Sequence, residues 1–366
     1  MEPGMDKPLI EEHRAASAQL GEFEGCVLPA SFSDLEREYR AAHESAALLD
    51  TNWHALLTLV GRDRVKYLHN VSSNDIKSLP EGRGTLALLL NPQGHILAEL
   101  EVYALPEKLL LLSHASLRER TIATLKKYII GSQVQVEDLT DKMGSLAVEG
   151  PRAAEVVAQA CGVSLAELAE FSVREVPVGE IRRCYLLRRS HFGATGAEFI
   201  VPRENLPALW RQLLSAVRAQ GGEPVGMSTF HTLRLEAGVP WFLADFNDAM
   251  IPHEAALENT HISFSKGCYT GQEIVERVRS RGHVNRKRVS LKFSTATAPP
   301  RGTKLRAGGA EVGYVTSAAL SPAAGTAIGM GYVRREQFAA GSMLEFDGGT
   351  AEVTASLQPA ASSSTD

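Results

Sequence analysis

The feature that most constrains this chain is a change of pattern near Lys287. From there "RKRVSLKF", "GTKLRAGGAEVGYVTSAAL", "TAIGMGYV", "GSMLEFDGG" and "AEVTASLQ" are short strand-like runs broken by glycine turns, with almost no helical periodicity. Runs of that length and spacing close into a small all-β barrel or sandwich, so a separate β unit is expected to begin near residue 286. The tail "PAASSSTD" has the composition of a disordered end.

Upstream, strands and helices intermingle. "SFSDLEREYRAAHESAALLD" reads as a helix, with Ser33 and Glu36 at capping-box spacing. "GRDRVKYLHNVSSNDI", "ASLRERTIATLKKYIIG" and "NLPALWRQLLSAVRAQGG" carry apolar residues at helical intervals, while "HALLTLVG", "GTLALLLNPQGHILAELEVYALPEKLLLLSH", "GSLAVEGP", "RRCYLLRRS" and "GAEFIVP" read as strands. The order lacks the regular repeat of a doubly wound sheet and is α+β. A division of this part into two similar halves falls near residues 140 to 150.

A chain of 366 residues, 44% apolar and 22% charged, can bury a substantial core across two or three domains. A net charge of −5 removes any global electrostatic case for nucleic acid or membrane, so a polyanion site would have to be local. The start "MEPGMDKPLIEEHRAASAQ" is acidic and lacks a signal-peptide pattern, and no apolar run approaches the roughly 20 residues of a membrane span. The expected location is the cytoplasm. Cys26, Cys161, Cys184 and Cys268 form neither a CxxC pair nor a disulfide-rich scaffold.

Nucleotide and hydrolase signatures are absent. His43, His54, His69, His191 and His231 show no local metal spacing, which leaves a metal site only if the fold gathers distant residues. One run stands apart: "KGCYTGQE", Lys266 to Glu273. Gly267 and Gly271 bracket Cys268 and imply constrained backbone or a close approach. A following helix start and Lys266 would favour a thiolate, making Cys268 a nucleophile, redox thiol or metal ligand; the other reading is a packing cysteine beside a turn. Lys266, Arg277, Arg279, Arg281, Arg286, Lys287 and Arg288 concentrate positive charge here, either for an anionic ligand or as a solvated linker.

"KGCYTGQE" closely resembles the signature of the YgfZ-type folate-binding proteins of bacteria and their mitochondrial iron-sulfur assembly counterpart, within the superfamily of glycine-cleavage T-protein, an aminomethyltransferase. The resemblance extends through "HALLTLVGRDRVKYLHNVSSNDI", "LLNPQGHILAELEVY", "TLRLEAGVP" and "GYVTSAALSPAAGTAIGMGYV". It implies an α+β, three-domain, T-protein-like ring with two mixed α/β domains and a C-terminal small β-barrel, at 30–145, 146–286 and 287–358. Tetrahydrofolate or a one-carbon derivative, with a single or a polyglutamyl tail, would occupy a central cavity, its glutamyl carboxylates paired with the basic stretch.

On this resemblance Glu198 of "GAEF" contacts the pterin, and Arg234 and Glu236 shape the pocket or form a structural network. Cys268 is the reactive or cluster-related thiol, a shared ligand at most, with Lys266 tuning it and Gly267 and Gly271 setting the backbone. Tyr269, Gln272 and Glu273 complete a polar network. Where T-proteins carry a catalytic aspartate after the hairpin turn, the matching positions are Leu97 and Ala98; Glu99 lies one step on and faces the opposite side of a strand. That departure disfavours aminomethyl transfer and favours a folate-binding accessory protein whose partners are iron-sulfur enzymes or cluster carriers. A folate-dependent aminomethyltransferase or demethylase is the enzymatic alternative. An RNA-binding, tRNA-modification role is the third, weakened by the lack of interleaved aromatics.

Overall fold

The computed structural model describes residues 9–354, so the expected disordered tail and the last residues of the third range lie outside the described residues. The first sheet is antiparallel, in the order Gly84–Leu90, Ile96–Ala104, Lys108–His114, His54–Val60, Gln135–Asp138. Alternation decides its two faces. Leu57, Leu59, Ala98, Leu100, Val102, Leu109 and Leu111 pack under Tyr67 and Leu68 of the helix Arg64–Val71 and Leu125 of the helix Arg118–Lys127.

The second sheet runs Ser172–Val178, Ile181–Arg188, Gly196–Pro202, Met143–Glu149, Ala47–Asp50, Glu223–Pro224. Ala197, Phe199 and Val201 face the helices Ala153–Cys161 and Leu206–Ala219, which bring Val156, Val157, Leu209, Trp210 and Leu213 to the same core. Ala47–Asp50 belongs to this sheet although it precedes the first sheet in the chain, so the sheets do not follow the contiguous ranges 30–145 and 146–286.

With helices outside, the two remaining faces meet. Leu56, Tyr103, Leu110 and Leu112 of the first sheet pack on Val173, Tyr185, Leu187 and Ile200 of the second. Polar residues in step with these positions therefore point into the space between the sheets.

The C-terminal unit is the expected barrel: six strands from Arg286–Phe293 to Gly349–Thr354, closed by pairing of the last with the first. Leu291, Phe293, Leu305, Val315, Leu344 and Val353 fill it. The buried helix Met227–Glu236 joins the barrel to the body: Arg234 donates to Ser317 Oγ at 3.0 Å, and Thr316 Oγ1 donates to Asp245 at 2.7 Å. At the helix Leu35–Glu44 the cap is Asp34, which accepts from Arg37 N at 2.9 Å, rather than the Ser33 and Glu36 pair. Among the described residues no helix is long and apolar enough to cross a membrane.

Candidate functional site

The space between the sheets opens at one end into a cavity of about 300 Å³. One wall is aromatic: Trp53 stacks on Phe230 at 5.3 Å and meets Trp241 at 5.2 Å between ring centroids.

The opposite wall is acidic because of a β-bulge. Leu89 pairs with Ala98 but Leu90 pairs with Ile96, which leaves Leu97 as the extra residue. Beyond it Ala98 turns to the helices, and Glu99 and Glu101 turn to the cavity. Glu99 does face away from Ala98, as alternation requires, but that side is the cavity, so a carboxylate stands there after all. Its side chain is 29% exposed, and Oε1 lies 2.8 Å from His261 Nε2. Thr260 Oγ1 lies 2.7 Å from His261 Nδ1, which orients the ring.

Deeper in, Arg189 Nη1 bridges Glu101 Oε1 at 2.6 Å and Glu198 Oε2 at 3.2 Å, and the Tyr103 hydroxyl donates to Glu101. Burial raises the Glu101 carboxyl above its ordinary value, with Arg189 opposing. Glu198 has no exposed surface: it lies behind the cavity wall, 3.6 Å from His54 Nε2 and 3.3 Å from His191 Nε2, and both imidazoles line the cavity. Burial alone would raise the Glu198 carboxyl; His54, His191 and Arg189 around it reverse the sign and hold it well below the carboxylate range. Burial pulls His54 down to about 3, so its imidazole is neutral near pH 7.

Arg234 also lines the cavity, but its guanidinium is committed elsewhere. It pairs with Asp245 and donates to the Val239 carbonyl at 3.1 Å as well as to Ser317, and it is 1% exposed. Burial would raise Asp245; Arg234 reverses that and holds it near 2. Glu236 is not at this cavity. It accepts from the Tyr39 hydroxyl at 2.8 Å and Ser321 Oγ at 2.5 Å, beside a separate hollow that includes His43 and Phe192.

The "KGCYTGQE" segment forms a cluster of its own against the end of the helix Arg64–Val71. Lys266 Nζ donates to the carbonyls of His69, of Ser72 at 2.6 Å and of Asn74 at 3.0 Å, satisfying orphan groups of the helix end. Its donors are therefore spent on backbone, not on tuning Cys268. Burial draws this ammonium down to about 8. The Tyr269 ring lies 4.9 Å from Lys266 Nζ, and Tyr269 N donates to Gln272 Oε1 at 3.3 Å.

Gly271 is required: its φ is +83°, and a Cβ there would meet Asn91 O at 2.6 Å. Gly267 is not, since a Cβ there meets nothing within 4 Å and its φ is not positive. Cys268 is exposed, and exposed Glu273 pairs with Arg277 at 2.6 Å on the helix Gln272–Arg281. None of these residues lines the cavity.

Arg277, Arg279, Arg286, Lys287 and Arg288 do not line it either. Arg277, Arg279, Arg286 and Lys287 are paired with Glu273, Glu276, Glu254 and Glu258, and Arg288 donates to the Ala255 carbonyl. The expectation that this stretch receives the glutamyl tail is not met by their placement. Sequence reasoning missed Glu101, Arg189 and His261, and it named His54 and His191 only as scattered histidines; Arg189 and His191 share one loop, and the others come from separate elements. The one local signal was a pair of carboxylates two apart, Glu99 and Glu101, in an otherwise apolar strand.

Comparison with known proteins agrees with this architecture. Residues 9–266 match the model of the GCVT N-terminal domain, and residues 286–360 match the glycine cleavage T-protein C-terminal barrel domain. The chain belongs to the glycine cleavage T-protein family. Its similar relatives include proteins named aminomethyltransferase from Moorella thermoacetica, 29% identical over 339 residues, and Thermoanaerobacter sp. (strain X514), 26% identical over 340 residues. Each alignment covers 92% of both chains. The crystal structure of glycine cleavage system aminomethyltransferase T from Bartonella henselae superposes with a TM-score of 0.87 at 27% identity, covering 95% of this chain and 96% of that one.

Proposed function

We propose that the chain binds tetrahydrofolate, or a one-carbon derivative of it, in the cavity between its sheets and moves a one-carbon unit between folate and a small amine, as an aminomethyltransferase does. The observation that carries this reading is the Glu99 carboxylate on the cavity wall, held by His261 opposite an aromatic wall. A flat bicyclic pterin suits Trp53, Phe230 and Trp241, and a cavity of about 300 Å³ is of the size that takes such a head group. A carboxylate beside a reacting amine nitrogen holds or removes its proton, the role for which Leu97 and Ala98 were unsuited. Full-length similarity to proteins named aminomethyltransferase supports the same reading. Purified protein supplied with tetrahydrofolate and an aminomethyl donor is expected to form 5,10-methylenetetrahydrofolate, with turnover about 100-fold lower or less in Glu99→Gln. No product from the wild-type chain, with folate bound, sinks the transferase reading.

One observation favours a second reading, that of a folate-binding accessory protein in iron-sulfur enzyme assembly or repair. Cys268 is the exposed free cysteine among the described residues, at the centre of the segment that resembles the YgfZ-type signature. Its partners would be iron-sulfur enzymes or cluster carriers. If Cys268→Ala restores iron-sulfur enzyme activity fully in cells lacking the protein, the thiol has no such role.

A further inference from the structure

Beside the folate reading, at the wall of the same cavity, the fold gathers three residues that no local spacing connects. His54 comes from a strand of the first sheet, Glu198 from a strand of the second, and His191 from the loop before that strand. Their ligand atoms all lie within 4.8 Å of one another. We propose that His54, His191 and Glu198 form a binding site for one divalent transition-metal ion at the wall of the cavity.

The distances argue for it. His54 Nε2 and His191 Nε2 lie 3.6 and 3.3 Å from the Glu198 oxygens. A charge-assisted N–H···O⁻ hydrogen bond closes to about 2.7–2.9 Å. Two ligand atoms each about 2.1 Å from a shared cation stand about 3.0–3.4 Å apart at right to tetrahedral angles. The His191 spacing, to Glu198 Oε2, falls in that range and the His54 spacing, to Glu198 Oε1, lies just beyond it; both are longer than a charge-assisted hydrogen bond.

Unmet bonding capacity points the same way. His54 Nε2, His191 Nε2 and Glu198 Oε1 are buried and have no hydrogen-bond partner among the described residues. His191 is 5% exposed and Glu198 0%, so water does not substitute. Arg189 holds the other Glu198 oxygen at 3.2 Å and is itself matched by Glu101 at 2.6 Å, which fixes the carboxylate while leaving its charge for a cation. Both imidazoles line the cavity, so an ion held by their buried nitrogens would sit in its wall. Two imidazoles and one carboxylate suit zinc, iron or cobalt; magnesium prefers all-oxygen ligation.

The test uses the full-length chain, stripped with a chelator and dialysed separately against Zn²⁺, Co²⁺ and Mg²⁺, with bound metal measured by elemental analysis. The result expected is about one Zn²⁺ or Co²⁺ per chain and no retained Mg²⁺, with ligand-field absorption from Co²⁺. His191→Ala and His54→Ala should each weaken retention by at least about 100-fold. His261→Asn, which alters the cavity outside the triad, should keep it. Because a triad variant could fail to fold, the wild-type melting temperature is read as well and should rise with Zn²⁺ but not Mg²⁺. Retention below a tenth of an equivalent, or retention unchanged in folded His191→Ala, overturns the proposal.

Discussion

The cavity wall and the "KGCYTGQE" segment are built in opposite ways. The segment is conspicuous in the sequence, and most of what makes it so is backbone mechanics: Lys266 ties down three carbonyls, and Gly271 passes within a Cβ radius of Asn91. The wall is inconspicuous, yet it concentrates Glu99, Glu101, Arg189, His54, His191 and His261 from strand positions, one loop and a short helix. A local cluster of unusual residues reports a demand of the chain path. Convergent chemistry comes from residues that share only a facing direction.

That contrast can be broken, starting from the largest effect. Arg234→Met leaves Asp245 buried and unpaired at the barrel junction, and should cost roughly 3–5 kcal/mol in urea unfolding. A loss under about 1 kcal/mol would make Arg234 a ligand residue rather than a junction residue. Lys266→Met strips the donor from three carbonyls and should cost roughly 1–3 kcal/mol of stability while folded protein keeps its tetrahydrofolate affinity. The reverse outcome, intact stability with lost affinity, would move the segment into the site.

Acid probes the junction side of the cavity. Burial first, then Arg234, lowers His231 to about 4 from its ordinary 6.5. The unfolded chain takes up this proton below about pH 6.5 while the folded chain resists until about pH 4. The contribution is therefore complete above that window and is lost as pH falls through it, by up to about 1.4 kcal/mol per pH unit. His231→Gln should flatten this slope in a pH series of melts; an unchanged slope assigns it elsewhere. The smallest effect is Cys268→Ala, which should leave stability within about 0.5 kcal/mol because the thiol is exposed.

Much of the fold was legible. The glycine-punctuated runs after residue 286 are the closed barrel, and the apolar periodicity of "NLPALWRQLLSAVRAQGG" is the helix Leu206–Ala219. Ala47–Asp50 was read as the end of the helix "SFSDLEREYRAAHESAALLD", but the helix stops at Glu44 and these residues form a strand of the second sheet; a four-residue apolar run carries no sign of its pairing partner. In the site, Glu99 was discounted through strict alternation from the hairpin turn. The bulge at Leu97 and the positions of the covering helices, neither readable from local pattern, decide that its face is the cavity. The pairing of the basic run was hidden for a related reason: Glu254 and Glu258 lie in an earlier segment that folds back on it.

The central claim is that the cavity between the sheets receives folate, and tryptophan fluorescence tests it directly. Trp53 and Trp241 line the cavity, while Trp210 is buried in the core of the second sheet. Titration with tetrahydrofolate should quench the emission saturably at one ligand per chain. Trp53→Phe and Trp241→Phe should each remove part of that quench, and Trp210→Phe should leave it intact. No saturable quench, or a quench that vanishes only with Trp210, would contradict the account.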